Sequence, residues 1–320
     1  MTTSSEGLDD FSKSLAAALE RRAEQISHWE AEGSDCYRVF HGRNEGRPGL
    51  SIDRYGPVLL AQTWGEEASE AEMEAVHALL GEAEWRHRGA RGPESIPFPF
   101  QELSVTYQGQ VWHKGQDPWL FLDLRVVRRW LLANSTGKRV LNTFAYTCGA
   151  GLCAAKGGAK SVLNVDHSAW ALELGRVNAA TNELEMDSLR GDFFDVVRQL
   201  AGNKHRGGAK RRSLVKVAPQ VFDLVVLDPP TLSKGRQGAV DINRDYPSLL
   251  KPCLQTLAPK GTLIATHHSA KVDRESWLET VLRCAAKAER PIVRHEWLEP
   301  EMDFPSPDGK GNLKILKLEI

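Results

Sequence analysis

The stretch RVLNTFAYTCGAGLCAAKGGAKSVLNVDHS (residues 139–168) decides the fold. Two apolar runs typical of buried strands, 139–144 and 161–166, enclose a loop with glycines and a helical segment, 149–157. A strand that is followed by a helix and then by another strand forms a parallel pair with a right-handed crossover. The stretch therefore predicts one unit of an α/β fold with a parallel sheet.

Strands and helices continue to alternate in the second part of the chain. Further strands are predicted at 224–228 and 261–267, and a helix at 123–134 precedes the first strand. Two more helices are predicted at 169–181 and 244–258. This pattern indicates a Rossmann-like α/β domain, in which ligands bind outside the carboxyl ends of the strands.

The loop after the first strand contains Gly149 and Gly151. Glycines let a backbone approach a ligand closely, and the amides that open the next helix face that ligand. With Ala154 these glycines match the G-x-G-x-x-A dinucleotide pattern. However, FAYT (144–147) separates the strand from the first glycine, whereas a pyrophosphate-binding turn follows its strand directly. The loop predicts a ligand site without identifying a dinucleotide.

Acidic residues follow the next two strand segments. Asp166 can accept hydrogen bonds from both hydroxyls of a cofactor ribose, which is the favoured interpretation; the alternative is that Asp166 or Ser168 caps the following helix. Asp192, followed by Phe193, can bind and stack on an adenine ring; the alternative is a helix cap beside core phenylalanines. Both positions are compatible with a nucleoside-containing cofactor.

A further strand ends in Asp228-Pro229-Pro230. Proline has a fixed φ and no backbone N–H, so it ends strand pairing sharply and holds Asp228 in one geometry. A simple turn does not require two prolines, and the pattern is typical of a reaction site. Together with the glycine loop, Asp166 and Asp192, it favours S-adenosylmethionine (SAM) as cofactor and makes an NAD oxidoreductase a remote alternative.

Composition narrows the class of protein. The 320 residues carry a net charge of −1, so any nucleic-acid contact must come from local patches. The five cysteines show neither a C-x-x-C pair nor a zinc-ligand spacing. No apolar run reaches the roughly 18 residues of a membrane span, and the polar start is not a secretory signal. We expect a cytoplasmic protein with reduced thiols, no metal and no membrane contact; its oligomeric state is not predicted.

The amino-terminal part is expected to be a small α+β region. Residues 1–8 are predicted to be disordered, and a helix is predicted over 10–32, whose apolar stripe packs on the protein itself. Three short β-like runs follow within 37–64, and a second helix is predicted over 66–82.

The region that joins the two parts is rich in glycine and proline. Residues 89–100 are predicted to be a linker, and a hairpin is predicted to turn at Gln108–Gly109. We place the boundary near residue 105. The expected organisation is an amino-terminal tail and helix (1–35), a small α+β domain (36–105) and a Rossmann-like α/β domain (106–320); the family resemblance given below implies that they are a substrate-side domain and a SAM-dependent methyltransferase domain.

Six motifs spread along residues 10–320 resemble one family of enzymes. They are CYRVFHGRNEGRPGLSIDRYG (36–56), GQDPWLFLDLRVVRRWL (115–131), LNTFAYTCGAG (141–151), VDHS (165–168), GDFFD (191–195) and DPPTLSKG (228–235). Together they are similar to class I SAM-dependent RNA methyltransferases, and more narrowly to bacterial 23S ribosomal RNA enzymes of the cytosine-C5 and guanine-N7 type. HWEAEGSDCYR (28–38) and DPPTLSKGRQGAVDINRDYPSLL (228–250) are closest to the guanine-N7 branch.

The resemblance implies a Rossmann-like class I domain with a mostly parallel seven-stranded sheet, SAM as cofactor and ribosomal RNA as partner. It places an active site at Asp228, Pro229 and Pro230. It also implies cofactor contacts from Arg125, Asn142, Phe144, Tyr146, Thr147, Gly149, Gly151, Asp166, His167, Ser168, Asp192, Phe193 and Asp228.

The target atom follows from the side chains near these motifs. Cytosine C5 becomes nucleophilic only after a cysteine thiolate adds to C6. The corresponding places hold His267-His268-Ser269 and Pro229-Pro230-Thr231, and Cys253 is expected in a helix core. Guanine N7 has an available lone pair and is favoured. An exocyclic amine is a weaker alternative because Thr231 and Leu232 supply no aromatic ring, and a non-catalytic RNA-binding assembly factor is an alternative of another class.

Basic segments are candidates for RNA contact. Residues 202–218 look like an insertion with six Lys or Arg and no acid, and residues 84–92 carry three arginines beside Trp85. We expect 202–218 to overlook the proposed site; simple solvation is the alternative. His267 and His268 are candidates for contact with base or phosphate. Arg125 opens a basic helix face that either is solvated or contacts cofactor or RNA.

Overall fold

The computed structural model describes residues 3–113, 119–203, 215–235, 238–306 and 313–320. The chain divides into two compact units, which are Met1–Arg125 with Pro300–Gly309, and Val126–Glu299 with Lys310–Ile320. We call them the first and the second unit. The predicted division into 1–35, 36–105 and 106–320 has other boundaries. It stays a prediction, because the contacts that define the two compact units do not test it.

A long helix and a four-stranded sheet form most of the first unit. Its elements are α1 (Thr3–Ala31), β1 (Cys36–His41), β2 (Leu50–Tyr55), β3 (Val58–Thr63), α2 (Glu70–Leu80), β4 (Glu84–His87), β5 (Phe98–Glu102) and β6 (Val105–Gly109). The sheet has the order β1–β2–β3–β4, in which β3 and β4 are parallel and the other pairs antiparallel. The three β-like runs predicted within 37–64 are strands; β4 is an addition to them.

Helix α1 packs its apolar stripe on this sheet, as predicted. Phe11, Leu15 and Trp29 are buried in one cluster with Phe40 and Ile52 of the strands. The helix begins at Thr3, so the expectation of disorder over 1–8 is wrong for the described residues.

Strands β5 and β6 form a hairpin, but it is not the one predicted over 103–115 with its turn at Gln108–Gly109. The turn residues are Leu103 and Ser104, with φ angles of 54° and 58°, while Gly109 ends β6. Two left-handed residues match the twist of a two-residue hairpin. The turn was misplaced because neither residue is the glycine or asparagine that usually marks it, and the predicted linker 89–100 overlaps β5.

Arg125 lies at the centre of a buried ionic cluster in the first unit. Its side chain is fully buried and donates to Glu102, Glu301 and Asp303 at 3.1–3.2 Å, and also to a backbone carbonyl oxygen. The guanidinium carbon lies 4.5 Å from the centre of the Trp29 ring. These partners engage the whole guanidinium, so the predicted cofactor contact of Arg125 is not supported and we leave it out of the site.

The second unit contains one large sheet and a short hairpin. Its strands are β7 (Arg139–Thr143), β8 (Ser161–Asp166), β9 (Asp187–Arg190), β10 (Phe222–Leu227), β11 (Leu232–Gly235), β12 (Gly238–Asp241), β13 (Leu257–His267), β14 (Arg294–Leu298) and β15 (Lys314–Glu319). Seven of them form the sheet β14–β15–β13–β10–β7–β8–β9, and β11 pairs with β12. β15 is antiparallel to β13 and β14, and the other pairs are parallel. The predicted mostly parallel seven-stranded sheet is confirmed.

Six helices of the described residues accompany this sheet. They are α3 (Arg125–Asn134), α4 (Gly149–Lys156), α5 (Ala169–Thr181), α6 (Phe193–Leu200), α7 (Ile242–Thr256) and α8 (Arg274–Lys287). The side chains of Ser168, Asp192, Asp241 and Asp273 accept backbone N–H bonds at the starts of α5 to α8. The four helices predicted from the pattern are present, and α6 and α8 are additions to them.

The core of the second unit lies on both faces of the sheet. Every residue of 224–227 in the central strand β10 is buried, which requires cover on both sides. None of the helices in the described ranges combines the length and apolarity needed to cross a membrane. The same ranges hold no group of His, Cys, Asp and Glu side chains suited to a metal ion.

Replacing Arg125 should destabilise the first unit. Arg125→Met leaves three carboxylates without their buried cation, so we expect the free energy of unfolding in urea to fall by about 3–5 kcal/mol. Arg139→Met is the matched control, because the Arg139–Asp223 pair is more than a third exposed on the arginine side and should contribute about 0–1 kcal/mol. Equal losses for the two variants would contradict this interpretation of the cluster.

Candidate active site

The carboxyl ends of neighbouring parallel strands meet at one edge of the sheet. Thr143 of β7 pairs with Val165 of β8 and with Leu227 of β10, and Leu227 pairs with Ala265 of β13. The segments after β7, β8, β10 and β13 therefore begin side by side. Most of the residues that the sequence singles out lie in these segments.

The loop between β7 and α4 holds three residues in the left-handed backbone region. Phe144, Tyr146 and Cys148 have φ angles of 54°, 48° and 65°. Each non-glycine residue in this region costs about 1–2 kcal/mol. Two backbone hydrogen bonds hold the loop, since Ala145 N–H donates to Val165 O at 3.0 Å and Cys148 N–H donates to Ala145 O at 2.7 Å. Strain of this kind concentrates at ligand sites.

The Asp166 carboxylate joins this loop to the end of β8. One oxygen, Oδ2, accepts from Tyr146 N–H at 2.9 Å, and Oδ1 accepts from Ser168 N–H at 2.8 Å. His167 Nδ1 lies 3.4 Å from Oδ1. The cap of α5 is Ser168, whose hydroxyl accepts from Ala171 N–H. Asp166 is therefore not the helix cap, and each of its oxygens keeps acceptor capacity for a ribose hydroxyl.

Gly151 of α4 and Asn142 of β7 both lie against the side chain of Asn164 in β8. Asn142 Nδ2 donates to Asn164 Oδ1 at 2.9 Å, and a Cβ atom at position 151 would overlap that same oxygen. Asn142 is buried, as are Thr147 and Gly149. The absence of a side chain at Gly151 serves helix packing, and the predicted cofactor contact of the Asn142 side chain is not supported because its amide is used inside the sheet.

Asp192 and Phe193 lie at the start of α6. Asp192 Oδ1 accepts from Phe194 N–H at 2.9 Å, which makes Asp192 the helix cap, the alternative weighed above. Its other oxygen has no hydrogen-bond partner among the described residues. The Phe193 ring stacks on Phe144 with centroids 4.8 Å apart and an angle of 14° between the planes. The pair links the β7 loop to α6, and adenine binding there stays a prediction.

Asp228 lies at the end of β10 in a hydrogen-bonded group. Its Oδ1 atom lies 2.7 Å from His268 Nε2 and accepts from Thr266 Oγ1. Oδ2 has no partner among the described residues, and the Asp228 side chain is 21% exposed. Pro229 is buried and Pro230 is exposed. The arrangement leaves one carboxylate oxygen open towards a ligand.

His267 and His268 have different surroundings. His267 is buried, with its ring centroid 5.5 Å from those of Tyr246 and Trp277, and burial followed by the charge of Lys314 lowers its pKa to about 4. It is a core side chain, so the hypothesis that it contacts base or phosphate is wrong. His268 is a quarter exposed beside Asp228 and remains a candidate.

Sequence reasoning missed two side chains of this region. Thr266 is a polar residue inside an apolar strand, and that interruption is the signal that could have identified it as a partner of Asp228. Trp170, two residues after Ser168, is 47% exposed and its ring lies 6.0 Å from that of Tyr146. An aromatic residue in the first turn of α5 was the available signal.

All five cysteines are buried. Burial raises the pKa of Cys148 to about 12, and it raises the pKa of Cys253 further above its ordinary value. Cys253 lies in the core of the second unit, as predicted. A catalytic cysteine has to be an accessible thiolate, and none of the five cysteines is exposed.

The basic stretch 202–218 is only partly described. Residues 204–214 of the basic stretch lie outside the described residues. The residues that follow them lead to the amino end of β10, and Gln220 N–H donates to the last residue of α6, Leu200, at 3.0 Å. Residues 215–221 therefore approach the sheet edge opposite Asp228, while the expectation that 202–218 overlooks the site falls mostly on residues outside the described ranges and stays a prediction. A helix that follows one parallel strand returns the chain to the amino edge before the next strand begins.

In the segment 84–92, Arg86 does not serve as a surface cation. It is buried, donates to Val111 O at 2.8 Å and lies over the Trp112 ring. Arg88 is exposed and remains compatible with RNA contact.

The sequence profile of the S-adenosylmethionine-dependent methyltransferase family matches residues 106–319, which is more than half of the chain. The chain belongs to this family. SAM is accordingly the cofactor of this methyltransferase. The Asp166 carboxylate and the strained loop beside it fit the ribose end of that cofactor, because hydroxyl donors need buried acceptors.

Relatives and solved structures agree with this assignment. The methyltransferase is 29% identical over 318 residues to the "Ribosomal RNA large subunit methyltransferase I" of Aeromonas salmonicida, with 93% of this chain and 76% of the relative covered. It is 31% identical to a "Ribosomal RNA large subunit methyltransferase" of Deinococcus radiodurans, with 88% and 72% covered. A crystal structure described as a methyltransferase complexed with S-adenosylhomocysteine has the same fold, with a TM-score of 0.80, 21% identity, and 98% and 82% covered.

Removing the Asp166 carboxylate should weaken SAM binding. Asp166→Ala deletes the proposed ribose acceptor and frees Tyr146 N–H, so we expect binding of SAM, measured by isothermal titration calorimetry, to weaken about ten- to a hundredfold. Asp187→Ala, an exposed carboxylate at the start of β9, is the control and should bind SAM like the wild type. Unchanged affinity in Asp166→Ala would remove this residue from the site.

The buried His267 should make stability depend on pH. Its pKa is lowered from 6.5 to about 4 on folding, so the unfolded chain binds the extra proton between these values. Above pH 6.5 the ring is neutral in both states, and its burial does not lower the free energy of unfolding. As the pH falls from 6.5 towards 4, this residue lowers the free energy of unfolding by about 1.4 kcal/mol per pH unit. His267→Phe should reduce the pH slope of the unfolding free energy by about this amount in urea titrations. An unchanged slope would show that the ring is accessible to protons in the folded protein.

Proposed function

We propose that this methyltransferase methylates a base of large-subunit ribosomal RNA in the cytoplasm, and that the target atom is guanine N7. The printed names of the relatives support the RNA substrate. We also propose that residues 36–105 form the substrate-side domain. One combined observation carries the choice of target atom. The Asp228 carboxylate is accessible to a ligand, whereas every cysteine is buried.

The cofactor site is proposed to consist of the strand ends described above. Asp166 would hold the ribose hydroxyls, and Tyr146, Ser168 and Asp192 would shape the surrounding loops. When bound, SAM supplies a methyl group on a positively charged sulfur, which a lone pair can accept directly. The buried Pro229 fixes the start of the segment after β10, so the open oxygen of Asp228 keeps one position.

Asp228 would orient the guanine. The Watson–Crick edge of guanine carries N–H donors, and Asp228 Oδ2 is an acceptor without a described partner. His268 and Thr266 hold the other oxygen, so the carboxylate cannot rotate freely. Correct orientation matters because N7 has to lie roughly 3–3.5 Å from the methyl carbon in line with the bond that breaks. N7 carries no proton, so no general base is required.

The other target atoms receive less support. Cytosine C5 chemistry requires an accessible thiolate, and all five cysteines are buried. An exocyclic amine is disfavoured because the two exposed residues after the Asp-Pro-Pro segment, Thr231 and Leu232, carry no aromatic ring that could stack on a base.

Transfer of labelled methyl groups from SAM to 23S ribosomal RNA, followed by mass spectrometry of the nucleosides, tests the proposal. We expect 7-methylguanosine. Asp228→Asn should lower kcat/KM by about a hundredfold or more because guanine orientation is lost, while SAM binding stays close to that of the wild type. Cys253→Ser is the control and should keep its activity. Appearance of 5-methylcytosine or of an N2-methylated guanosine would replace the proposed target atom, and no transfer to RNA would favour a non-catalytic assembly factor.

A further inference from the structure

The amino edge of the large sheet lies opposite the candidate active site and carries charged side chains of its own. Arg139 and Asp223, at the starts of β7 and β10, form a two-bonded ion pair at 2.9–3.0 Å, which marks this edge. Helix α6 ends here, at Leu200. The six residues of β10 separate this edge from Asp228 by roughly 17–20 Å.

A groove lies between α6 and α7 at this end. Its volume is about 500 Å³. Because one water molecule occupies roughly 30 Å³ in the liquid, the groove is large enough for a much larger group than water. No carboxylate belongs to its lining among the described residues. The lining residues are Arg198, Asn203, Pro247, Ser248, Lys251, Pro252 and Gln255.

Contacts on the protein keep the groove in shape. The Arg198 guanidinium carbon lies 4.9 Å from the centre of the Phe194 ring, which restricts the side chain without using its N–H donors. Asn203 Nδ2 donates to Gln255 Oε1 at 2.8 Å across the groove. Arg198 and Lys251 thus present positive charge from two different helices to one cavity.

The positive charge continues onto α8. Arg283 and Lys287 are exposed on this helix, and together with Lys251 they oppose the rise in the pKa of Cys284 that burial causes. Glu279, one turn before Arg283, limits the patch on that side. Among the described residues, α6, α7 and α8 therefore bring Arg198, Lys251, Arg283 and Lys287 to this part of the second unit.

We propose that the face formed by α6, α7 and α8 is a second RNA-binding surface, with the groove between Arg198 and Lys251 holding the phosphodiester backbone. This inference rests on the proposed RNA substrate. Arginine, lysine and side-chain amides are the groups that contact phosphate oxygens in protein–nucleic acid complexes. A ribosomal RNA is long enough to offer phosphates at this face while its target base lies at the opposite edge of the sheet.

Charge reversal tests the surface. Binding of 23S ribosomal RNA is measured by filter binding at several KCl concentrations for the wild type and for Arg198→Glu, Lys251→Glu and the double variant. Each lost phosphate contact should lower the slope of log K against log [KCl] by about 1, and the double variant should bind at least about tenfold more weakly at low salt. Arg176→Glu on α5, an exposed arginine on the other face of the sheet, is the control.

Calorimetry with SAM separates this proposal from the proposed function. We expect every variant to bind SAM like the wild type, and Arg198→Gln with Lys251→Gln replaces the glutamates if the double variant does not fold. An unchanged salt slope in the double variant, or an equal loss of RNA affinity in Arg176→Glu, would overturn the proposed RNA-binding surface. Neither result would affect the assignment to the methyltransferase family. RNA binding with the expected loss but without methyl transfer would overturn the function and keep the surface. Absence of RNA binding by the wild type would overturn both.

Discussion

The geometry of the candidate site depends on the two oxygens of Asp166. One oxygen holds Tyr146 N–H of the loop after β7, and the other holds Ser168 N–H before α5. This carboxylate fixes two neighbouring strand ends relative to each other, although the loop between β7 and α4 contains three left-handed residues with unfavourable backbone energy. A ligand that adds hydrogen bonds to Asp166 uses a group that is already positioned.

Burial decides the chemistry of the residues next to this site. His267 and His268 are adjacent in sequence, yet one ring packs between Tyr246 and Trp277 and the other lies beside Asp228. Burial makes the first a neutral core side chain, while partial exposure leaves the second available to a ligand. The same principle removes the cysteines from consideration as nucleophiles, because a thiol in an apolar core resists ionisation.

The two units place their charged side chains differently. In the first unit Arg125 neutralises carboxylates inside the protein, whereas in the second unit Arg198, Lys251 and their neighbours on α8 lie at the surface. The two arrangements follow from the same physics, since buried charges must be paired whereas surface cations remain open to anionic groups such as phosphates. The net charge of the chain is close to zero and gives no information about this distribution.

The sequence by itself determined the α/β class, the parallel strands and the positions of Asp166, Asp192 and Asp228 at the ends of their segments. Those features are local, because a period of apolar residues and a Pro-Pro pair act within a few residues. Tertiary structure alone decided that Arg125 is neutralised inside the first unit and that Asn142 packs against Asn164. These outcomes depend on partners far apart in the chain, and no local pattern encodes which buried groups meet.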